Sequence, residues 1–249
     1  MSDRARHVLV TGASRGLGRA LALAFACKGA TIGIHYAHDS AAADATAVAV
    51  RHLDAHAYIV HANFADTKAA VPVADAVRTT RLPLDVLVLN AGVAGAAHLV
   101  NITDALWDHV LAVNFRSPVH LVENLNGYMA PRSHIIAIAS LVGLRGSAGL
   151  SAYAAAKGAL LGYVRDTAAC LGPRGIHVNA IIPGLMRTSM MTDVPQDEFA
   201  VLEAENVLGA TASMAEIART AVFIASLDGV SGQTFSCDSR LHPDRRRGF

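Results

Sequence analysis

The sequence is short of the residues that mark several classes of protein. Its three cysteines, Cys27, Cys170 and Cys237, are far apart and sit in apolar surroundings. That excludes a disulfide framework and a thiolate metal centre, and it reads as reduced cysteines of a core. The 12 histidines are scattered, with no His-Glu-x-x-His or similar grouping, so no metal site is predicted. Neither sign of charge is in excess. The net formal charge is +1, which argues for neither nucleic acid nor a membrane surface as a partner. No apolar run reaches the roughly 18 residues that a membrane-spanning helix needs. Residues 1–7 are polar and lead straight into an apolar stretch, with no secretory leader. A cytoplasmic protein is expected.

What is present is a chain of 249 residues, 53% of them apolar. The excess is mostly alanine and valine, spread along the whole length. A parallel sheet buried under helices on both faces requires that pattern. No repeat, low-complexity linker or compositional break divides the chain, so residues 1–249 read as one domain.

Residues 7–11 form a short apolar run, a first strand. It leads into Thr11-Gly12-Ala13-Ser14-Arg15-Gly16-Leu17-Gly18 and a helix over 19–28 closed by Gly29. Glycines there let the backbone turn sharply and bring N–H groups against a pyrophosphate at the positive helix end. The spacing is Gly-x-x-x-Gly-x-Gly, not the Gly-x-Gly-x-x-Gly fingerprint. A second strand is predicted at 30–36. An acid at its end would bond both ribose hydroxyls and repel a 2′-phosphate. The chain offers His35, Tyr36, Ala37 and His38 instead, and Arg15 can pair with a 2′-phosphate. NADP(H) is therefore favoured over NAD(H). Asp39 is the nearest acid, and it also fits the N-cap of a helix over 40–52.

Further strands are predicted at 57–61, 84–89, 133–139, 176–181 and 233–237. A helix is predicted at 68–78, with Pro72 tolerated near its start, and longer ones at 103–128 and 150–172. Alternating strands and helices with short connections imply right-handed crossovers and a doubly wound parallel α/β sheet. Within the last helix, Tyr153 and Lys157 are four apart and share a face. A cation beside a phenol favours the phenolate, so the tyrosine pKa is expected to fall below about 10. Tyr153 would then be a proton donor near neutral pH. In isolation, a buried tyrosine beside a solvated lysine would look the same.

The motifs in order are Thr-Gly-Ala-Ser-Arg-Gly-Leu-Gly at 11–18, Asn-Ala-Gly at 90–92 and Val-Asn at 113–114. Ser140, Tyr-Ala-Ala-Ala-Lys at 153–157, and Pro-Gly at 183–184 with Thr188 follow. In this combination the chain resembles the short-chain dehydrogenase/reductase family over nearly its whole length. The resemblance implies a Rossmann-like sheet of seven strands in the order 3-2-1-4-5-6-7. It implies a core over 6–184, a substrate lid over 185–212 and a tail over 241–249.

It also implies roles. Tyr153 would protonate a carbonyl oxygen as hydride arrives from the nicotinamide. Ser140 would hydrogen-bond that oxygen. Lys157 would hold the nicotinamide ribose and keep the tyrosine acidic. Asn114 would hold a water feeding protons through Lys157, or would simply bond a neighbouring backbone group. The pyrophosphate would lie on Gly12, Gly16 and Gly18, with Ser14, Arg15 and Leu17 beside it. Tyr36, Asn63, Phe64, Asn90, Ala91 and Gly92 would line the rest of the nucleotide cleft. Ile182, Pro183, Gly184 and Thr188 would close over the carboxamide. Asn63 stands where the family commonly has an adenine-binding Asp, and Leu89 where it often has Asn.

The resemblance points most closely to 3-oxoacyl-[acyl-carrier-protein] reductases. Met186, Met190, Met191, Phe199 and Leu202 would give an apolar, adaptable lid, and residues 93–97 a wall with room for a chain. The expected reaction is NADPH-dependent reduction of a 3-oxoacyl thioester of fatty-acid or polyketide type. Alternatives are a dehydrogenase of a sugar, polyol or other secondary alcohol, and a non-catalytic dinucleotide sensor. An acyl carrier protein would meet a basic surface beside the cleft, formed by Arg132 and Arg174. Arg245 to Arg247 would lie in a solvated tail or dock on a neighbour. The assembly implied is a homotetramer.

Overall fold

The computed structural model describes residues 6–66, 68–186 and 195–240. Seven strands, β1 (His7–Val10), β2 (Thr31–Tyr36), β3 (His56–His61), β4 (Leu84–Leu89), β5 (Met129–Ile138), β6 (His177–Pro183) and β7 (Thr234–Cys237), form one sheet. Every neighbouring pair is parallel, in the order β3-β2-β1-β4-β5-β6-β7. This is the order the resemblance implied.

Side chains alternate across the sheet, and both faces are apolar. In β1, Val8 and Val10 point to one face and Leu9 to the other. In β4, Val86 and Val88 oppose Leu87 and Leu89, and β5 repeats the pattern with Ile136 and Ile138 opposing Ile135 and Ala137. The first face is covered by α1 (Gly16–Phe25), α2 (Ser40–Arg51) and α9 (Met214–Ile224). The second is covered by α3 (Ala70–Thr79), α5 (Ser117–Leu125) and α7 (Ser151–Leu171). Three short or outlying helices complete the set: α4 (Asp104–Leu111), α6 (Val142–Arg145) and α8 (Gln196–Ala204). Because the strands are parallel, the loops after β1, β4, β5 and β6 all emerge at one edge. The strand order reverses between β1 and β4, and ligands bind open α/β sheets at such a switch point.

Some boundaries differ from the sequence reading. α1 begins at Gly16, not at 19, and Gly16 takes φ +56 at the junction of loop and helix. It ends at Phe25, and Gly29 (φ +81) belongs to the following turn, its N–H bonded to Asp54 O. β5 starts at Met129, ahead of the predicted 133, with a register shift against β4 between Leu84 and Val86. Cys27 and Cys170, read as core residues, are exposed. The long helix predicted at 103–128 is interrupted. α4 and α5 are joined by a π turn over Ala112–Arg116, in which Ser117 N–H donates to Ala112 O five residues back. Among the described residues no helix is long and apolar enough to cross a membrane.

Candidate active site

The site is built on the loops at the carboxyl edge of the sheet. The first follows β1. Thr11 is buried, and its Oγ1 accepts from the N–H groups of Asn90 (2.8 Å) and Ala91 (3.0 Å) while donating to Val88 O (3.2 Å). The Asn90 Nδ2 donates back to Thr11 O (2.8 Å) and Gly12 O (3.3 Å). These bonds lock the glycine loop to the end of β4. Ser14 O accepts from the buried Thr46 of α2 (2.9 Å), which fixes the loop from the other side.

The three glycines of this loop divide their structural work. Gly12 has φ +64, and its N–H donates to His35 Nδ1 (3.0 Å). At Gly18 a Cβ would collide with the Gly12 carbonyl, so its part is close packing of helix on strand. Gly16 faces open space at the start of α1, beside Leu17 and the exposed Arg15. The first N–H groups of α1 have no acceptor within the helix. No acid occupies its first turn. An anion at this helix end meets donors and no repelling charge.

At the end of β2, Tyr36 packs its ring against His61 at 5.1 Å. Asp39 accepts from Ala42 N–H (2.9 Å) as the N-cap of α2, so the acid nearest the ribose position is engaged elsewhere. Asn63 Oδ1 is likewise turned to its own loop, accepting from Ala65 N–H (3.0 Å). Phe64 is buried with its ring stacked on His35 at 4.2 Å.

The catalytic candidates converge. Ser140 follows β5, and its Oγ accepts from Val142 N–H (3.2 Å), with its hydroxyl close enough to the Tyr153 phenol to favour the ionised ring. Tyr153 lies in the first turn of α7, and Lys157 Nζ sits 5.8 Å from its ring centroid. The four-residue spacing thus places both side chains on one face. Lys157 is buried and donates to Ile138 O (2.7 Å). Burial brings its pKa down to about 8. An ammonium has three donors, so two are available to a ligand. Gly92 packs closely on the Asn114 amide, since a Cβ there would lie 2.7 Å from Asn114 Oδ1 and 3.7 Å from Lys157 Nζ.

The expected lowering of the tyrosine pKa fails here. Burial pushes the Tyr153 phenol above its usual value, partly offset by the Ser140 hydroxyl. The sequence could not reveal that desolvation is the largest influence on this ring. Asn114 also differs from a free water holder. Its Nδ2 donates to Val93 O and Val110 O (2.9 Å each), and its Oδ1 accepts from Val93 N–H (3.2 Å). One amide hydrogen braces the π turn against the loop after β4, and the other returns to Val110 of α4.

Around this centre, Ala97 N–H donates to Gly149 O (2.9 Å), joining the 93–97 wall to the loop before α7. Pro183 ends β6, and Gly184 N–H donates to Cys237 O (2.9 Å) beside the buried Ile182 and Leu185. Phe199 is buried, and Met186 packs on the core below. Thr188, Met190, Met191 and the 241–249 tail lie outside the described residues. Two features carried no sequence signal as site elements: an Arg145–Glu205 ion pair (3.5 Å) linking α6 to the end of α8, and Gly143 packed on the Lys157 backbone.

Arg132 and Arg174 do not flank this cleft. Arg132 N–H donates to Gly175 O, so the two are neighbours, but they follow the far end of α7. A helix of 21 residues spans about 30 Å. Arg174 also binds Asn126, from Nη1 to Oδ1 (2.9 Å) and from Nη2 to the carbonyl (2.7 Å), and Arg132 pairs with Asp228.

A family profile described as enoyl-(acyl carrier protein) reductase matches residues 12–242. The 3-oxoacyl-[acyl-carrier-protein] reductase FabG of Escherichia coli is 31% identical over 247 residues, covering 97% of this chain and 99% of the relative. Among solved structures, a short chain dehydrogenase from Burkholderia cenocepacia in complex with NADP superposes with a TM-score of 0.89 at 30% identity, over 94% of this chain and 97% of that one. The angucycline C-6 ketoreductase LanV with bound NADP gives 0.86 at 28%, over 93% of each.

Proposed function

Because the chain belongs to the short-chain dehydrogenase/reductase family, we propose that it is an oxidoreductase that reduces a ketone with NADPH, and that the ketone is a 3-oxoacyl thioester. The observation that carries the reaction is the Ser140–Tyr153–Lys157 group at the sheet edge, beside the glycine loop. The residues fit the dinucleotide. The α1 N-terminus and Arg15 suit phosphates, Lys157 has two donors for ribose hydroxyls, and Asp39 is turned away from the 2′ position. Bound NADPH supplies the hydride.

The chain's own residues supply the rest. Val142 N–H holds Ser140 Oγ as an acceptor, which leaves the Ser140 hydroxyl proton to point at a developing oxyanion. Tyr153 gives its proton to that oxygen. A phenol raised by burial stays protonated at neutral pH, the state a general acid needs for reduction. The carbonyl carbon gains hydride, its oxygen gains H⁺, and a secondary alcohol leaves. Lys157 below pH 8 keeps a positive charge next to the ring.

For the substrate, the matching acyl-carrier-protein reductases support a thioester. A free polycyclic ketone is a second reading, favoured by the fit to the angucycline ketoreductase and by the distance of Arg174 from Tyr153. If a carrier protein docks on Arg132 and Arg174, it would serve the cleft of a neighbouring subunit. We read the assembly as a homotetramer. The exposed face of α7 carries Ala155, Ala159 and Gly162, a flat stripe on which a second copy can pack. Light scattering at monomer mass would remove that reading.

The decisive experiment is turnover of acetoacetyl thioesters, polycyclic ketones and oxidised polyols with NADPH and NADH in parallel. Tyr153→Phe should lose about 10²–10⁴-fold in rate while still binding NADPH. Binding without turnover in the parent would mean a sensor. Turnover of polyols alone would mean a dehydrogenase.

A further inference from the structure

His35 is the one imidazole among the described residues that reaches into the nucleotide-binding loops from beneath. It is 1% exposed, the last residue but one of β2, next to the fully buried Ile34. Its Nδ1 accepts from Gly12 N–H (3.0 Å), and its Nε2 lies 2.9 Å from Ala62 O. A carbonyl only accepts, so the proton must be on Nε2, and the ring is a neutral Nε2–H tautomer. Its backbone carbonyl takes the next loop N–H, that of Ala13 (2.8 Å). Its ring lies flat on Phe64, 4.2 Å between centroids and 14° between planes.

One side chain therefore spans two loops. Gly12 opens the loop that would hold the pyrophosphate, and Ala62 leads into Asn63 and Phe64, which would hold the adenine. Both loops follow parallel strands and are tied by their backbones to the end of β2, Ala13 N–H to His35 O and Ala62 N–H to Tyr36 O (3.0 Å), and the imidazole adds a side-chain link from one loop to the other. Gly12 has φ +64, a conformation its own backbone does not enforce. An imidazole holds its two nitrogens at a fixed distance, so it sets this gap more rigidly than a flexible side chain would.

We propose that His35 is a positioning residue for the dinucleotide: a neutral, bridging imidazole that fixes the pyrophosphate loop relative to the adenine loop and so sets the affinity for NADP(H). This rests on the reading of the chain as an NADPH enzyme. His35 does not touch the reacting atoms, and its effect is on binding.

The two bonds can be separated by substitution. His35→Asn offers an amide oxygen close to the Nδ1 position and keeps an acceptor for Gly12. His35→Gln reaches the Nε2 position and keeps a donor for Ala62. His35→Phe preserves ring and stacking but removes both bonds. NADPH binding is measured by fluorescence titration, with thermal unfolding of each protein without nucleotide in parallel.

We expect His35→Phe to weaken NADPH roughly tenfold, in line with the loss of buried hydrogen bonds. His35→Asn should bind more tightly than His35→Gln, because it restores the Gly12 contact. In turnover the KM for NADPH should rise by more than kcat falls. In the parent, the His35 ¹⁵N resonances should report an unprotonated Nδ1 and a protonated Nε2 at neutral pH. Equal affinity of His35→Phe and the parent, or of His35→Asn and His35→Gln, overturns the proposal, and the second comparison holds even if His35→Phe does not fold. A parent that binds no NADPH defeats the proposed function itself, a result distinct from either of these.

Discussion

Replacing Thr11 by valine removes one oxygen from a side chain that keeps its branched shape. That oxygen accepts from two backbone N–H groups, Asn90 at 2.8 Å and Ala91 at 3.0 Å. Its own proton goes to Val88 O, which also accepts from Thr11 N–H and so stays satisfied. The cost is therefore counted on the two N–H donors. Orphaning a buried donor costs about 1–3 kcal/mol, and these two are only partly buried, so about 1–2 kcal/mol each is appropriate. A methyl in place of the hydroxyl returns roughly 1 kcal/mol of apolar burial. The net is a loss of about 1–3 kcal/mol. For a chain of this length each kcal/mol moves Tm by about 2–4 °C, so Thr11→Val should melt roughly 4–8 °C lower for a central loss of about 2 kcal/mol. Melting should be followed at one fixed protein concentration, since assembly would otherwise shift it. Because the same bonds lock the glycine loop to Asn90, NADPH affinity should fall with stability. A variant within about 0.5 kcal/mol of the parent, the scatter of ordinary surface changes, would refute this account of the loop.

The pH dependence of reduction should carry a basic limb near pH 8, where Lys157 gives up its proton, because Tyr153 is pushed higher by burial and ionises later. A kcat/KM profile flat to pH 10 would contradict it. Folding should weaken in acid. His35 and His134 both fall to about 4 in the folded protein, so between about pH 6.5 and 4 the unfolded chain binds more protons and stability drops as pH falls. The order of magnitude is up to roughly 3 kcal/mol per imidazole. His134→Phe keeps the stack on His177, and it should flatten the urea-midpoint slope in that window by about one proton, with an unchanged slope counting against it. Gly92→Ala would press a methyl onto Asn114 Oδ1 at 2.7 Å and push that amide off the Val93 peptide, so it should impair NADPH binding and turnover; a fully active variant would show that the close packing on Asn114 is not needed. Ser213→Ala breaks a capping box at the start of α9, away from the cleft, and should cost about 1 kcal/mol in urea denaturation with no change in NADPH affinity.

The strands and their order were legible because each is a short apolar run bounded by turn residues, and parallel sheets bury both faces. The Tyr153–Lys157 pair was legible because helical spacing alone sets which face a residue takes. The Asp39 cap was open as one of two roles, and local geometry decided it. What escaped depends on burial or on distant partners. No pattern of letters reports that Tyr153 is desolvated more strongly than it is stabilised. The π turn at 112–116 looks like ordinary helix, since no glycine or proline interrupts the stretch. Arg132 and Arg174 were placed beside the cleft by likeness, yet the length of α7 carries them to its other end. His35 was noticed only as a non-acidic residue after β2. A single imidazole following the Ile-Gly-Ile run of β2 was the available clue, and only its two partners give it meaning.

The widened turn between α4 and α5 makes this stretch intolerant of shortening. Each residue of a regular helix advances the chain by about 100° around its axis. Deleting one position among 112–116 would let the two segments fuse into an uninterrupted α-helix, and the local backbone would be the better for it. Everything on one side of the cut would then swing through more than a quarter circle. Either the Asn114 amide would leave the Val93 peptide, or the apolar stripe of Leu121 and Leu125 would rotate off the sheet. The irregularity keeps those two demands compatible, so length variation should collect in the outer loops and spare this one.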